Sequence, residues 1–531
     1  MLQVPEQYKY FANTIQQCPE YWDDEGQIRA DLELEAFGND KIETFLAMVR
    51  AQRALVERFL SGALSKEDDA GVKAAMVDVG LIEGEEDPMF EGVEFNREQK
   101  RFEKSVNNLL DRAKRGRLAA NDEEWEDVVE EAHLHSRPQF VTGPPGTGKT
   151  TVLDKCVRRC LREGGNVLYA LPTAQQASRV RAKHPQADVD TCSGAFFLYR
   201  DAVEVMDVLT QYDLVAVDEI SQLSQSDFER IIQMWEAADK MPALVFAGDF
   251  WQLPGFSRKK GSEPSKATDS PRRSMVHQIE LYQMWRCKDE VLKRKLEVLR
   301  TSRPTQAQLN EICRGHKAWS GHHEPTAWDL QQLFREHPGT TIATCTRRAA
   351  AKVNDLSIWI LFSTRKKRRL ATVPVDWESN ADNYDPANNN ELVTGRPPVA
   401  LDMPLYKGMR VHLTRNVNKE ADFVNGMEAT VESYDSSSRC VHVVTKTGRQ
   451  LAVYPMTDYV PDCGYVIAYP IRPGYASTIH KLQGSELEHI TIWLDVKKAK
   501  AARYVAISRV QRDEDYLLGG KVTRKHFRPA M

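Results

Sequence analysis

Hydrophobic residues in this chain form short runs that alternate with longer segments of helical periodicity. From residue 138 onward the first apolar runs lie at 140–141, 167–171, 214–217 and 243–247. A similar set follows at 341–344, 490–494 and 504–507. Continuous apolar strands separated by helices are typical of a parallel sheet that is covered on both faces. The pattern therefore predicts an α/β protein with two such lobes.

A second pattern lies between about residues 403 and 462, where apolar and polar residues alternate. Examples are Met409, Val411 and Leu413, with turn sequences at 425–426 and 447–448. A period of two, bounded by turns, indicates short antiparallel strands with one buried face. We therefore predict a small β-barrel in this part of the chain.

The first 94 residues have a different character. Apolar residues recur at helical spacing between 41 and 64, which predicts an amphipathic helix, and the acidic run 83–94 indicates a linker. Residues 1–94 hold 8 Lys and Arg against 21 Asp and Glu, a net charge of −13, whereas the remainder holds 64 against 55, or +9. A basic body suggests a polyanionic partner, and we expect the acidic segment to have a protein partner of unknown identity.

Composition narrows the class of protein. A chain of 531 residues has room for three or four domains, and 41% hydrophobic with 28% charged residues is ordinary for a globular protein. No apolar stretch approaches the roughly 18 to 20 residues of a membrane span, and no signal-peptide pattern begins the chain. Nine cysteines without a C-x-x-C pair favour reduced thiols over structural zinc. We expect a nuclear or cytoplasmic protein without a membrane partner.

One motif carries most of the chemistry: G-x-x-x-x-G-K-T at 143–150, here called the P-loop, between a strand-like run and a helical segment. Backbone N–H groups of such a loop bind phosphate, Lys149 contacts the terminal phosphates, and the Thr150 hydroxyl suits magnesium. The predicted nucleotide-binding residues are Gly143, Pro144, Pro145, Gly146, Thr147, Gly148, Lys149, Thr150 and Thr151. The chain is expected to bind ATP and Mg²⁺.

Polar side chains follow two more of the apolar runs. Asp218 and Glu219 end the third run; Asp218 suits magnesium, and Glu219 suits activation of the attacking water. Gln252 follows the fourth run and can hydrogen-bond a γ-phosphate. The alternatives are an acidic helix start that caps Ser221 and a loop amide satisfied by its neighbours.

These blocks, in their order along the chain, resemble those of superfamily 1B helicases. The further blocks are L-Y-Q-M-W-R-C at 281–287, T-I-H-K-L-Q-G-S-E at 478–486 and Y-V-A-I-S-R-V at 504–510. The sequences G-D-F-x-Q-L-P, T-I-H-K-x-Q-G and V-A-I-S-R are similar to those of the Pif helicases and their RecD-like relatives. The resemblance covers about residues 95–515.

The resemblance implies two RecA-like P-loop lobes in tandem with an SH3-like β insertion in the second lobe. The N-terminal, mostly helical acidic extension lies outside the resemblance and is predicted from helical periodicity and charge. The expected boundaries are 1–94 for the acidic accessory region, 95–280 for the first lobe, 281–402 and 463–531 for the two parts of the second lobe, and 403–462 for the insertion.

The resemblance also implies roles around the nucleotide. The implied contacts are Gln99 at the adenine edge, Trp285 on the adenine, Gly484, Glu486, and two arginine fingers from the second lobe, Arg286 and Arg509. Charge on a transferring phosphoryl group requires cations that arrive when the lobes close. The alternatives are surface ion pairs for the arginines and a core position for Trp285.

For DNA, the resemblance implies phosphate contacts from Pro172, Thr173, Thr346, Arg347, Thr478, His480 and Lys481. Hydroxyls, amides and cations are what sequence-neutral phosphate binding requires. His480 could instead be a buried structural imidazole. The chain has T-C-S-G at 191–194 where the family usually has T-I-H-S, so a DNA-contacting imidazole is absent there.

We therefore expect an ATP-dependent 5′–3′ DNA helicase that translocates on single-stranded DNA, unwinds forks or duplexes, and acts as a monomer on DNA. The direction comes from the resemblance alone. Three alternatives stay open: a superfamily 1 RNA helicase, a P-loop regulatory or scaffold ATPase, and the helicase part of a mobile-element replication protein.

Overall fold

The computed structural model describes residues 24–34, 46, 49, 50, 53 and 87–529, except 120–136, 201–207, 239–240, 254–264, 320, 364–366, 376–400, 461–463 and 497–498. The chain divides into two compact units, Met1–Glu94 and Phe95–Met531. Four residues of the predicted helix 41–64 are described; all four are helical, and Leu46 and Val49 are buried. The rest of that prediction lies outside the described residues.

Twelve α-helices of the described chain can be given bounds. They are α1 Glu25–Leu34, α2 Arg97–Ala119, α3 Lys149–Arg162, α4 Ala174–Lys183, α5 Cys192–Ala195, α6 Gln225–Glu236, α7 Glu290–Thr301, α8 Gln306–Cys313, α9 Ala327–Glu336, α10 Arg347–Ile358, α11 Ile479–Leu482 and α12 Ala502–Ile507. No helix among the described residues is both long enough and apolar enough to cross a membrane.

Twenty strands accompany these helices. They are β1 Gln139–Thr142, β2 Val167–Leu171, β3 Asp188–Thr191, β4 Leu214–Val217, β5 Ala243–Gly248, β6 His277–Glu280, β7 Lys317–Trp319, β8 Thr341–Thr344, β9 Arg369–Val375, β10 Leu401–Tyr406, β11 Arg410–Leu413, β12 Glu428–Asp435, β13 Cys440–Thr445, β14 Gln450–Val453, β15 Met456–Val460, β16 Gly464–Ala468, β17 Ile471–Pro473, β18 Ala476–Thr478, β19 Ile490–Trp493 and β20 Tyr516–Gly519.

The first lobe is built on a six-stranded parallel sheet with the order β3-β2-β4-β5-β1-β6. Successive residues of β4 pack into different cores: Leu214 and Ala216 lie in one, Val215 and Val217 in the other. Both faces of the sheet are therefore covered, which explains why its strands are continuously apolar. The carboxyl ends of all six strands share one edge, and the P-loop follows β1 at that edge.

The second lobe contains a five-stranded parallel sheet with the order β18-β8-β19-β20-β7. Two parallel sheets covered by helices confirm the predicted α/β core with two lobes. The sheet also includes β7, β18 and β20, which the apolar pattern did not predict; β7 and β18 are only three residues long.

The prediction of a strand at 504–507 is wrong, because these residues belong to α12. All six residues of α12 are buried. A helix that is buried on every side has no polar face, so its apolar run cannot be distinguished from a buried strand by periodicity. Helix α12 packs against α7 and β19, and it positions the residues that follow it.

Antiparallel strands occupy the middle of the second lobe. The main sheet has the order β14-β13-β12-β11-β17, and two hairpins, β9–β10 and β15–β16, accompany it. Apolar side chains of this sheet, such as Val411, Val431 and Val443, share one core with β8 and α10. The antiparallel strands run from 369 to 473, beyond the range 403–462 at both ends.

Candidate active site

Three glycines shape the P-loop. Gly143, Gly146 and Gly148 have φ values of 148°, 79° and 80°, conformations that favour glycine because it lacks a Cβ. Space also excludes larger residues, since a Cβ at Gly146 would lie 2.6 Å from the Cβ of Arg286. The loop leads directly into α3, and the N-terminus of a helix favours bound anions.

Lys149 is partly buried in this loop. Its Nζ donates to the carbonyl oxygens of Gly143 and Pro144, both at 2.8 Å. Burial lowers the pKa of Lys149, while the nearby carboxylates of Asp249 and Glu219 raise it. The ammonium is therefore held inside the phosphate-binding loop and faces negative charge from two strand ends.

Thr150 and Asp218 meet beside the P-loop. The Thr150 Oγ1 donates to Asp218 Oδ2 at 2.8 Å. Burial and the neighbouring Glu219 raise the pKa of Asp218 to about 6. A hydroxyl and a carboxylate at a phosphate site are oxygen ligands of the kind that Mg²⁺ takes. The structure thus brings the two predicted magnesium ligands together.

Glu219 has an unusual backbone and an unsatisfied carboxylate. Its φ of 54° is left-handed, a conformation that costs energy in residues other than glycine and that clusters at functional sites. Within the described part of the chain, its buried Oε2 has no hydrogen-bond partner. Its side chain does not cap the short helix that follows, and the Ser221 hydroxyl accepts from Gln483 Nε2 at 3.2 Å instead. The geometry supports the water-activating role over the capping alternative.

We predict that Glu219→Gln binds ATP with near-normal affinity and hydrolyses it roughly 10²-fold or more slowly, because the amide keeps the shape of the side chain but cannot accept a proton. The measurements are kcat and ATP affinity, with Glu236→Gln, a partly exposed carboxylate of the same lobe, as control. Loss of ATP binding with normal turnover of the bound fraction would assign Glu219 a structural role.

The loop after β5 connects the two lobes. Asp249 is fully buried and accepts hydrogen bonds from Tyr504 Oη and Arg300 Nη2, both at 3.1 Å. Both donors belong to the second lobe. In the same loop, the buried Oε1 of Gln252 has no partner among the described residues. Gln252 is therefore not a fully satisfied loop amide. Its side-chain carbonyl oxygen remains available to accept a hydrogen bond from a ligand or water.

Gln99 and Trp285 flank Gly148 at the end of the P-loop. A Cβ at Gly148 would lie 2.5 Å from Gln99 Nε2 and 3.7 Å from Trp285 Cδ1. Gln99 Nε2 donates to the carbonyl oxygen of Thr147 at 3.3 Å. Trp285 is 39% exposed, so it is not a core residue. An amide and an exposed ring on the same side of the loop can contact a nucleotide base.

Arg286 lies on the connection between β6 and α7. Its backbone N–H donates to the Gly146 carbonyl oxygen at 3.1 Å, and its Nε lies 3.4 Å from Glu486 Oε2. Both side chains of this ion pair are more than a third exposed, so the pair adds little stability. Arg286, which lies in the range expected for the second lobe, is thus fixed at the first-lobe P-loop by its backbone, and its guanidinium pairs with Glu486.

Arg509 is a buried cation on the second lobe, 2% exposed. Its Nε donates to the Val505 carbonyl oxygen at 2.9 Å, and its Nη2 donates to Ser508 Oγ at 2.9 Å. Burial lowers its pKa to about 10, and the first-lobe carboxylate of Glu219 opposes this shift. The guanidinium therefore stays charged and lies within electrostatic reach of the P-loop site.

The predicted DNA contacts of the second lobe follow neighbouring strands. Thr344 of β8 pairs with Thr478 of β18. Thr346 caps α10 by accepting from Ala349 N–H at 3.2 Å, and Arg347 is exposed at the start of that helix. A groove between these strand ends is lined by Arg347, Asn354, Arg472, Ser477 and Thr478, among others. The structure therefore brings Thr346, Arg347 and Thr478 to one surface.

His480 and Lys481 lie on the short helix α11. Burial lowers the pKa of His480 to about 4, so the imidazole is neutral at pH 7. His480 is partly buried, and its neutral imidazole can contribute hydrogen bonds but no charge. Lys481 is exposed and carries a positive charge. The adjacent Leu482 is buried in the second-lobe core.

The predicted DNA contacts of the first lobe adjoin those predicted for the second lobe. Thr173 is exposed and caps α4, with Pro172 before it at the end of β2. Gln176 of α4 donates from Nε2 to the Gln483 carbonyl oxygen at 3.5 Å, and it fills the space beside Gly484. Gly484 was predicted at the nucleotide, but its described neighbour is this first-lobe glutamine.

Sequence reasoning missed four residues that join the lobes: Asp249, Tyr504, Gln176 and Gln483. Asp249 and Gln483 stand within motifs that were recognised, G-D-F-W-Q-L-P and T-I-H-K-L-Q-G, so the motifs themselves were the available indication. Nothing in the sequence pairs them with partners 255 and 307 positions away.

Comparison with known proteins finds similar sequences and similar folds. A family model described as "AAA domain" matches residues 121–317. The rat protein named ATP-dependent DNA helicase PIF1 is 26% identical over 402 residues, which cover 71% of this chain and 58% of the rat protein. This chain thus spans less than two thirds of the length of that relative.

Solved Pif1 structures share the fold. The Pif1 helicase of Candida albicans superposes with a TM-score of 0.56 at 17% identity, covering 82% of this chain and 96% of that one. Bacteroides Pif1 in complex with ADP-AlF3 and ssDNA superposes with a TM-score of 0.53 at 20% identity, covering 77% and 94%. Together with the two parallel sheets, these matches show that the chain is similar in sequence to Pif1 helicases and shares the fold of solved Pif1 structures.

Proposed function

We propose that this chain is an ATP-dependent DNA helicase that moves 5′ to 3′ along single-stranded DNA and unwinds duplexes or forks. The observation that carries the proposal is the double contact between the lobes. Asp249 joins them on the nucleotide side through Tyr504, and Gln176 joins them on the DNA side through Gln483. A change at the nucleotide can therefore move both sets of DNA contacts relative to each other, which is what translocation requires.

Relatives support the choice of substrates. The rat protein is named as an ATP-dependent DNA helicase, and the Bacteroides protein was crystallised with ssDNA and ADP-AlF3. In this chain, exposed Thr173, Arg347 and Lys481 supply the hydroxyl and cations that a sequence-neutral phosphate contact needs. The 5′–3′ direction rests on the family resemblance.

The proposed reaction uses residues of both lobes. Lys149 exchanges its two carbonyl contacts for the β- and γ-phosphates, and Glu219 orients and deprotonates the attacking water. Arg286 and Arg509 place positive charge near the γ-phosphoryl group, where negative charge develops in the transition state. Gln252 detects the γ-phosphate through its amide Nε2, which donates to a phosphate oxygen, while its unsatisfied Oε1 accepts from the attacking water. It passes the loss of the phosphate to Asp249 in the same loop.

Thr150 and Asp218 would hold magnesium, since their oxygens already lie 2.8 Å apart beside the P-loop. Magnesium, when bound, neutralises phosphate charge. The raised pKa of Asp218 is consistent with a carboxylate that lacks a neutralising partner in a buried position.

The antiparallel sheet of β11–β14 and β17 is proposed to be the SH3-like insertion of the family. Its loops support contact with the first lobe: Arg181 of α4 donates to the Lys419 carbonyl oxygen at 2.9 Å, and Lys419 Nζ pairs with Asp190 at 2.6 Å. An insertion that touches α4 can close over a strand bound at Thr173. Residues 1–94 form an acidic accessory region in this proposal.

We predict that magnesium-dependent ATP turnover rises at least about tenfold when single-stranded DNA is added, because DNA favours the closed arrangement of the lobes in which the arginines reach the phosphate. Steady-state ATPase rates with single-stranded DNA, single-stranded RNA or no nucleic acid test this.

Equal rates in all three conditions would contradict the helicase proposal and favour a regulatory ATPase. Stimulation by RNA alone would favour an RNA helicase. Displacement of a strand from duplexes with a 5′ tail, but not from those with a 3′ tail, tests the direction.

A further inference from the structure

An exposed aromatic and cationic cluster follows α5 in the first lobe. It consists of Phe197, Tyr199 and Arg200, here called the 197–200 cluster. Tyr199 is 67% exposed, and its ring centroid lies 6.2 Å from that of Phe197. The Arg200 guanidinium carbon lies 5.4 Å from the Phe197 ring centroid and 5.8 Å from that of Tyr199. A large aromatic face is thus held open beside a fixed positive charge.

The backbone of the cluster is strained and firmly held. Phe197 has a φ of 45°, a left-handed conformation that is a genuine outlier for a bulky residue. Its carbonyl oxygen accepts from Arg230 Nη2 at 3.2 Å and from the Arg200 N–H at 2.9 Å. Strain that surrounding contacts over-determine is concentrated at functional sites in proteins. This turn fixes the direction in which the Tyr199 ring projects.

The chain that leads to the cluster leaves the sheet at the edge that carries the proposed first-lobe DNA contacts. Leu171, the last residue of β2, pairs with Thr191, the last residue of β3. Pro172 and Thr173 follow β2, and the chain leading to the cluster follows β3. The P-loop strand β1 is separated from β3 by three strands, so the cluster is distant from the nucleotide site.

We propose that the 197–200 cluster is a stacking platform for an unpaired base of the bound strand, with Tyr199 contacting the base and Arg200 adding positive charge. The inference rests on the proposed binding of single-stranded DNA and adds base stacking to its phosphate contacts. Every nucleic-acid base has a π-face, so such a platform does not select sequence.

This proposal also bears on residues 191–194, where the sequence T-C-S-G differs from the T-I-H-S of the family. Ser193, which stands where the family's T-I-H-S block has its histidine, is exposed but has neither an aromatic ring nor a charge. Aromatic stacking a few residues later supplies a contact at the same edge.

The test compares Tyr199→Ala and Tyr199→Trp with the unmodified chain, using two single-stranded oligonucleotides of equal length. One has normal bases and the other has abasic sites throughout its centre. The control is Trp359→Ala, which removes an exposed aromatic residue at the end of α10 opposite the DNA contacts. The dissociation constants are measured at one fixed salt concentration, because phosphate contacts depend on salt.

We expect Tyr199→Ala to weaken binding of the normal oligonucleotide about tenfold, and Tyr199→Trp to retain it. The abasic oligonucleotide should bind the unmodified chain more weakly but should bind Tyr199→Ala with no further loss. The control should behave as the unmodified chain does.

Other outcomes distinguish failure of the proposed DNA helicase function from failure of the proposed stacking platform. If the unmodified chain binds no single-stranded DNA, the proposed function fails. If it binds DNA and Tyr199→Ala binds both oligonucleotides as the unmodified chain does, the function stands and the stacking platform is wrong. Equal losses on both oligonucleotides would show a phosphate contact and would also overturn it.

Discussion

Replacing Arg509 with alanine should lower kcat for ATP hydrolysis by roughly 10³-fold or more while leaving ATP affinity nearly unchanged. The reason is that an arginine finger contributes most when negative charge develops on the γ-phosphoryl oxygens. Arg509 is charged, buried on the second lobe, and electrostatically coupled to Glu219 of the first lobe.

The same variant will also lose some stability, because Arg509 donates to the carbonyl oxygens of Val505 and Ser485. A matched control separates the two effects. Arg503 lies in α12, the helix that precedes Arg509, is 1% exposed, and donates to the Ala499 carbonyl oxygen at 2.8 Å. Arg503→Ala should lower Tm and leave the turnover of the folded protein close to normal.

The measurements are kcat, ATP affinity and Tm on each preparation. If Arg509→Ala behaves as Arg503→Ala does, with reduced Tm and normal turnover, Arg509 is a structural cation. The claim that both lobes build the active site would then be wrong.

Replacing Lys149 with alanine should abolish measurable ATP turnover. This residue is the cation of the P-loop, and its Nζ already lies 2.8 Å from two loop carbonyl oxygens, inside the loop that binds phosphate. Its removal leaves the charge of the β- and γ-phosphates without the cation that stabilises it in the transition state.

Lys155 is the matched control for this experiment, since it lies in the same helix. It pairs with Glu103 at 3.1 Å and lies over the Phe95 ring, away from the loop. Lys155→Ala should keep turnover within about twofold, because a partly exposed ion pair contributes little. Turnover of Lys149→Ala above about a tenth of normal would contradict the assigned role.

The parallel strands and the P-loop could be predicted because both depend on neighbours in sequence. Strands β2, β4 and β5 are continuously apolar, since each is covered on both faces, and turn residues or helical segments bound them. The P-loop depends on glycines at fixed spacing before a helix, and these are also local features. The same holds for Asp218 and Glu219, which follow an apolar strand directly.

Local pattern failed where burial removes the difference between helix and strand. Residues 504–507 would be apolar whether they formed a buried strand or a buried helix. In the structure they form a helix that packs against α7 and β19. Short strands such as β7 and β18 carry too few residues for a period to appear.

By itself, the sequence predicted the residues of the candidate site: a phosphate loop, a carboxylate for magnesium, a carboxylate for water and two arginines. Only the tertiary structure decided which of them act together. Tyr504 meets Asp249, and Gln176 meets Gln483, across more than 250 positions of chain. Likewise, the register of β2 and β3 sets side by side the strand ends that lead to Thr173 and to the 197–200 cluster. Contacts of this kind depend on how sheets and lobes pack. The spacing of residues along the chain does not encode which distant residues meet.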